Sequence, residues 1–353
     1  MFWRTFILVF FLTLKTKAQT LGGDASFNFL KLPNTAQLTA LGGVNITEPS
    51  ADAGLAFNNP ALLTKAMHTQ MNAVFNAMYG DIKVYHLSGA FHSSKLNTTL
   101  GAGISYYNYG DVSSTDASGN ILGKFRPRDW VIQLAAGRTY LKKWLYGATL
   151  KFANSGYGQY HSNAMAVDVG VLFKDSAKLF SASVLVKNMG FQLKKYAGGY
   201  EEDLPFDLQI GITKKLENAP FSFSITAQKM DQFDIVYNDT IFNNENGYSN
   251  ERNNKITAEK IFRHLVFGTK IHIGDYVEVL AGYNFLRRKE LNIGNAGNGL
   301  NGFSLGVGAL FGKLQVRYAR AYYQNNTAYN QLGLNMQLNK YFGLGKFGEK
   351  IGW

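Results

Sequence analysis

Residues 221–228 read Phe-Ser-Phe-Ser-Ile-Thr-Ala-Gln. Phe221, Phe223, Ile225 and Ala227 share one parity, and Ser222, Ser224, Thr226 and Gln228 share the other. Successive side chains of a strand point to opposite faces, so this stretch forms a strand with one apolar face and one face of small polar groups. A soluble β-sandwich also alternates, but its water-facing side ordinarily carries more Lys and Glu than these Ser, Thr and Gln rows. A small polar face opposite a continuous apolar one fits a sheet with lipid outside and an enclosed lumen inside.

The pattern recurs on both sides. Phe206, Leu208, Ile210 and Ile212 alternate with Asp207, Gln209, Gly211 and Thr213. Met165, Val167, Val169, Val171 and Phe173 alternate with Ala164, Ala166, Asp168 and Gly170, and Leu332, Leu334, Met336 and Leu338 with Gln331, Gly333, Asn335 and Gln337. About fourteen such segments have the length of membrane strands. They begin near residues 70, 83, 97, 129, 144, 162, 178, 205, 221, 261, 276, 302, 314 and 329. The first two, Gln70 to Tyr79 and Lys83 to His92, alternate least regularly. The fold expected is all-β, a transmembrane antiparallel β-barrel of about fourteen strands with a short helical and looped N-terminal plug.

Connection lengths assign the two ends. Residues 141–143, 174–178, 216–220, 274–275 and 312–313 form short turns, and 110–128, 154–161, 190–204, 236–260 and 287–301 form longer, polar connections. Barrels of this kind keep short turns on the periplasmic side and long loops outside.

Composition agrees. The 353 residues include 37 Gly, 20 Tyr and 26 Phe with only 17% charged residues, and no Cys, which excludes a disulfide framework, a thiol nucleophile and a thiolate metal site. Net charge is +12, from 36 Lys plus Arg against 24 Asp plus Glu. The basic residues are scattered pairs such as Lys142-Lys143 and Arg287-Arg288, which suits lipid headgroups and lipopolysaccharide at strand ends and not nucleic acid. Arg4, the apolar run Phe6 to Leu14 and Lys15-Thr16-Lys17-Ala18 read as a signal peptide over residues 1–18, so export to a bacterial outer membrane is expected. Residues 19–66 then form the plug or hatch, 67–340 the barrel and 341–353 a C-terminal tail.

The plug region carries Gly22-Gly23, Phe27-Asn28-Phe29-Leu30-Lys31-Leu32-Pro33, Ala36, Ala40-Leu41-Gly42-Gly43, Asp52 and Asn58-Asn59-Pro60-Ala61-Leu62-Leu63. This stretch resembles the PorQ family of the Bacteroidetes type IX secretion system. It is similar, more distantly, to PorV and to FadL-type long-chain fatty acid transporters, which share an Asn-Pro-Ala element. Gln37 departs from the pattern, standing where a basic residue is expected. The resemblance implies a non-catalytic component of the secretion system, anchoring a PorZ-like surface protein that works beside PorU and PorV in attaching cargo to the cell surface. The alternative it leaves open is a FadL-type channel for long-chain fatty acids or other hydrophobic molecules, with Asn58, Asn59, Pro60 and Ala61 as a hatch. The Asn-rich loop 236–260 and residues 190–204 are the candidate partner contacts.

No catalytic constellation is legible. His68, His86, His92, His161, His264 and His272 form no close metal-ligand pair, and Gly-x-Ser-x-Gly and His-Glu-x-x-His are absent. Gly343-Leu344-Gly345-Lys346-Phe347-Gly348 matches a dinucleotide pattern but leaves no room for a βαβ unit. An enzyme, a metal and a cofactor are therefore not expected. His264 and His272 are expected on the inward side of one strand with Lys270. The inward parity further holds Lys151, Asp168, Lys187, Asp207, Glu278 and Arg317, of both signs, which are expected to pair across the lumen or to hold the N-terminal segment.

Overall fold

A computed structural model describes residues 25–48, 50, 52–78, 80–235, 256–291, 298–324 and 327–342. In chain order the strands are β1 (Gln70–Ala77), β2 (Lys83–Ser93), β3 (Thr98–Asn108), β4 (Val112–Thr115), β5 (Ile121–Phe125), β6 (Arg128–Tyr140), β7 (Trp144–Tyr157) and β8 (Tyr160–Asp175). They continue as β9 (Phe180–Lys194), β10 (Asp207–Lys215), β11 (Phe221–Ala227), β12 (Leu265–Ile273), β13 (Val277–Asn284), β14 (Phe303–Phe311), β15 (Leu314–Gln324) and β16 (Thr327–Gln337). All but β4 and β5 form one closed antiparallel barrel of fourteen strands, each next to its sequence neighbour, with β1 closing on β16. Closure gives every strand a hydrogen-bonding partner on both sides, the condition for crossing hydrocarbon with strands. Among the described residues no helix is long and apolar enough to cross a membrane.

The alternation decides the register. Ser224 faces Gly268, Gly268 faces Gly282 and Gly282 faces Ser304, a row of small groups lining the lumen. One residue along, Ile225, Phe267, Tyr283 and Phe303 form the matching outward row. Phe75, Leu134, Leu150, Val171, Phe223 and Leu305 are exposed on the outward side. β1 and β2 read least regularly because their inward sides include Val74 and Val84, apolar groups buried inside the barrel. Tyr140, Trp144, Tyr146 and Tyr276 stand at the short-turn end, where aromatic side chains suit a membrane interface.

Three expectations are corrected. The segment expected to begin a strand near residue 261 opens with helix α2 (Ala258–His264), and the strand begins at Leu265. The helix is capped by Thr257, whose side chain accepts from the Lys260 amide, so local capping wins over alternation there. His264 consequently ends the helix and lies outside β12, yet it keeps the inward side: it is buried, its carbonyl accepts from the Gln228 amide, and its ring is bonded to the Gln228 and Phe233 carbonyls. The connection expected over 154–161 shrinks to Gly158-Gln159, because β7 and β8 run on to Tyr157 and Tyr160. Gly158 takes φ +63°, a left-handed turn conformation that glycine adopts without strain. The Asn-rich stretch 238–254 and residues 1–18, expected to be a signal peptide, lie outside the described residues.

Helix α1 (Ala36–Ala40) lies in the N-terminal segment, α3 (Phe285–Leu291) follows β13, and α4 (Leu338–Phe342) follows β16. β4 and β5 form a separate hairpin between β3 and β6, and Tyr109 donates its amide to the Pro127 carbonyl at its base. Replacing residues 112–125 by a short Gly/Ser link is expected to leave the barrel assembled. Heat-modifiable migration in electrophoresis, with the unboiled protein running as a compact band, is the check; loss of that band would place the hairpin in the closure itself.

Candidate functional site

The lumen is the candidate site, and residues 25–48 and 52–69 fill it. The segment starts at the long-loop end, where Ser26 donates its amide to the Asp203 carbonyl and its hydroxyl accepts from Gln192 Nε2 at 3.0 Å. It ends at the short-turn end, where β1 begins. Phe27, Phe29 and Leu30 pack on Val84, Tyr107, Val131, Ala153, Ala164, Ala166 and Leu204, so the wall is apolar on its inner side at this level. The Phe29 and Tyr107 rings lie 4.9 Å apart.

Three further apolar contacts brace the segment against different sectors. Ala36, Ala40 and Leu41 pack on Leu280 and Ala319. Leu38, Leu55, Ala61 and Leu62 pack on Leu145 and Leu172. Ala53, Ala56, Phe57, Leu63 and Met67 pack on Ala90 and Ala135. Contact on all these sides means the plug occupies the cross-section and does not hang from one wall. Glycines make the approach possible. A Cβ on Gly306 would stand 2.5 Å from the Ala40 Cβ, and one on Gly137 2.7 Å from the Leu63 carbonyl oxygen. At Gly147 and Gly282 an added Cβ would run into the Pro60 carbonyl and the Gly42 amide. The wall is moulded to plug backbone at these points.

The Asn58-Asn59-Pro60-Ala61 element is a lock. Asn58 donates to the Asn45 carbonyl at 2.7 Å and accepts from Lys187 Nζ at 3.0 Å. Asn59 donates to the Ile46 carbonyl and to Ser183 Oγ, and its Oδ1 accepts from the Ala61 amide. Pro60 suits the first position of the following 3₁₀ turn, where its missing N–H is not needed. Two adjacent asparagines thus tie plug to plug and plug to wall.

The charged residues of the inward parity divide in two groups. Arg317 lies between Glu278 on the neighbouring wall, with Nε 2.5 Å from Oε1, and Asp52 of the plug, with an amino group 3.2 Å from Oδ2. Lys270 pairs with Glu48 of the plug, and Lys187 holds Asn58. These residues join wall and plug. Asp52 also accepts from the Asn72 amide group and the Gly54 N–H; burial pushes its carboxyl up, and Arg317 pulls it down.

Lys151 and Asp168 instead serve the wall. They pair at 2.6 Å with both side chains buried. Asp168 Oδ1 accepts the Asn188 amide at a register shift between β8 and β9, where Asn188 takes φ +54°. Lys151 donates to Asn188 Oδ1, so the pair pins a β-bulge. Asp207 accepts from Gln209 and from the Lys229 amide, stands opposite Lys187 in the strand pair and lies within electrostatic reach of Lys31 of the plug. Glu48, Asn45 and Asn72 are contributors that the pattern of alternation does not single out. Glu48 and Lys270 lie far apart in the chain, and alternation carries no information about such a pairing.

Among the described residues no group of His, Asp or Glu is arranged to hold a metal. No protein-family model matches the chain. No curated protein matches it either. Several solved structures are similar in fold. The TodX monoaromatic hydrocarbon channel, as its deltaS2 mutant, is 11% identical with a TM-score of 0.48, over 85% of this chain and 97% of that one. A Pseudomonas aeruginosa FadL homologue is 9% identical with a TM-score of 0.46, over 86% and 98%. The KdgM porin is 3% identical with a TM-score of 0.34, over 76% and 98%. Identity of this order does not bear on substrate or partner.

Arg317→Ala would leave Glu278 and Asp52 buried without a cation, which is expected to cost about 3–5 kcal/mol. The denaturant midpoint of the detergent-solubilised barrel measures it, and the triple variant with Asp52→Asn and Glu278→Gln should recover most of the loss. A midpoint unchanged in Arg317→Ala would remove Arg317 as a tie between plug and wall. Asp168→Ala should also lower the midpoint, through the bulge, while leaving residues 26–67 as resistant to protease as in the parent protein.

Proposed function

We propose that this protein is a non-catalytic component of the type IX secretion system, a barrel of the bacterial outer membrane that anchors a PorZ-like surface protein beside PorU and PorV. The observation that carries the reading is the closed lumen: the plug is braced on opposite sectors, seated on wall glycines and tied by buried ion pairs. A pore has little use for a seat this closely moulded, and a scaffold gains rigidity from it. The resemblance of residues 22–63 to the PorQ family supplies the partner. The connections at the long-loop end, including the β4–β5 hairpin and residues 195–206, supply surface for contact.

A second reading is a FadL-type channel for long-chain fatty acids or other hydrophobic molecules. It draws on one specific observation, the apolar inner wall around Tyr107, Val131 and Leu204, which Phe27, Phe29 and Leu30 occupy. A hydrophobic molecule entering from the long-loop end would compete with those three side chains.

Affinity purification of the tagged protein from its native membrane in mild detergent, followed by mass spectrometry, separates the two. Under the first reading a PorZ-like protein is recovered, and the intact barrel in planar bilayers shows no steady conductance, whereas a variant lacking residues 26–62 conducts. Recovery of the barrel alone with bound fatty acid, together with fatty acid uptake by cells that depends on it, would replace the anchor by the channel.

A further inference from the structure

The outward face of β1, β2, β3 and β6 carries a dent that barrel closure does not explain. Met71, Gly89, Ala102 and Leu134 are consecutive cross-strand partners, all on the outward parity. The two central positions lack side-chain bulk, and Leu87, Phe91, Leu100 and Ile104 stand around them, forming a groove of about 1190 Å³ that reaches Leu338 of α4. A second apolar hollow of about 350 Å³ continues it along the same strands, past Ala73 toward Phe75 and Tyr106.

Gly89 has no packing reason to be glycine. A Cβ there would meet only the Gln70 carbonyl oxygen, at an ordinary 3.5 Å, and its backbone is not left-handed. Plug-facing glycines such as Gly147 and Gly282 differ, since an added Cβ there collides with plug atoms. Glycine weakens a strand interior and often marks the close approach of something else.

The groove ends at the short-turn side in a basic corner. Lys65 is exposed and lies within electrostatic reach of His68 and His92. The His68 ring stands 5.0 Å from that of Phe91 on the groove rim. Its Nδ1 accepts the His92 amide at 3.0 Å, which places the ring proton on Nε2 as a donor. From Thr69 to Phe75 the groove runs about 20 Å at the rise of a strand, enough for an acyl chain crossing one leaflet of about 15 Å.

We propose that this groove holds one acyl chain of a phospholipid of the periplasmic leaflet, with the phosphate against Lys65 and His68. Apolar lining along a leaflet's depth and N–H donors with a cation at the headgroup level match that amphiphile and no soluble ligand. The inference rests on the membrane placement of the barrel and is independent of whether it anchors or transports.

The test uses the full protein reconstituted in vesicles of phosphatidylethanolamine and phosphatidylglycerol, then released into mild detergent for native mass spectrometry. Phosphatidylglycerol carrying a spin label near the chain end reports the motionally restricted fraction in parallel. The parent protein should retain one phospholipid. Gly89→Leu, an outward leucine that suits the strand, should lower retention at least ten-fold, while Ala148→Leu, an equivalent outward addition on β7, should not. Lys65→Gln with His68→Gln should keep the restricted chain and lose the preference for phosphatidylglycerol. Equal retention by the parent and Gly89→Leu would overturn the proposal. So would a parent dimer that Gly89→Leu converts to monomer, since the groove would then face a second copy of the chain.

Discussion

The pairing of β1 with β16 is the constraint from which the rest of the structure follows. Hydrocarbon offers no hydrogen bonds, so a sheet can cross it only when no strand edge remains open. Gln70 to Ala77 must therefore meet Asn330 to Gln337 in register, and the first strand of the barrel has to wait beside the last. Closure at fourteen strands encloses a lumen that is wide relative to side chains, and the wall directs mostly small and polar groups into it. A segment of some forty residues placed there changes the physics of those groups, because it excludes the water that would otherwise satisfy them.

That exclusion explains the character of the interior. Apolar contacts position the plug, but the buried polar atoms decide its exact seat, since each must find a partner. Arg317 draws one carboxylate from the wall and one from the plug, Lys270 takes Glu48, and Lys187 takes Asn58. Buried ion pairs contribute little to net stability when both charges must leave water, yet breaking one is costly, so they penalise every wrong seat. Glycines at the points of closest approach do the same by sterics. The interior is specified by the cost of errors at least as much as by the strength of its contacts.

The two functional readings differ in what they ask of this arrangement. A scaffold needs the plug in place so that the loop end presents a constant surface. A channel needs the plug to leave or shift, against contacts that span the cross-section. At the apolar inner surface near Phe27 and Phe29 a hydrophobic molecule could replace plug side chains without stranding a buried charge. On the outside the same distinction between filled and unfilled space applies: Gly137, Gly147 and Gly282 are met by plug backbone, and Gly89 opens onto membrane.

Alternation determined the class of fold and the number of strands, because the period of two is a local property of the chain. It located strand starts to within a few residues where lipid and lumen impose opposite demands, as at Phe221 and Trp144. It failed where local capping took over, at Thr257 and helix α2, and where strands extended beyond the apolar band, as at Tyr157 and Tyr160. The inward charges were legible as inward, but their partners were not. That Arg317 serves the plug, that Lys151 and Asp168 serve a bulge, and that Asp207 serves a loop depends on register, on the left-handed turn at Asn188 and on the path of the plug. Those are tertiary facts: pairing between residues hundreds of positions apart is set by closure of the sheet and by the need of each buried polar group for a partner, and neither leaves a periodic trace in the sequence.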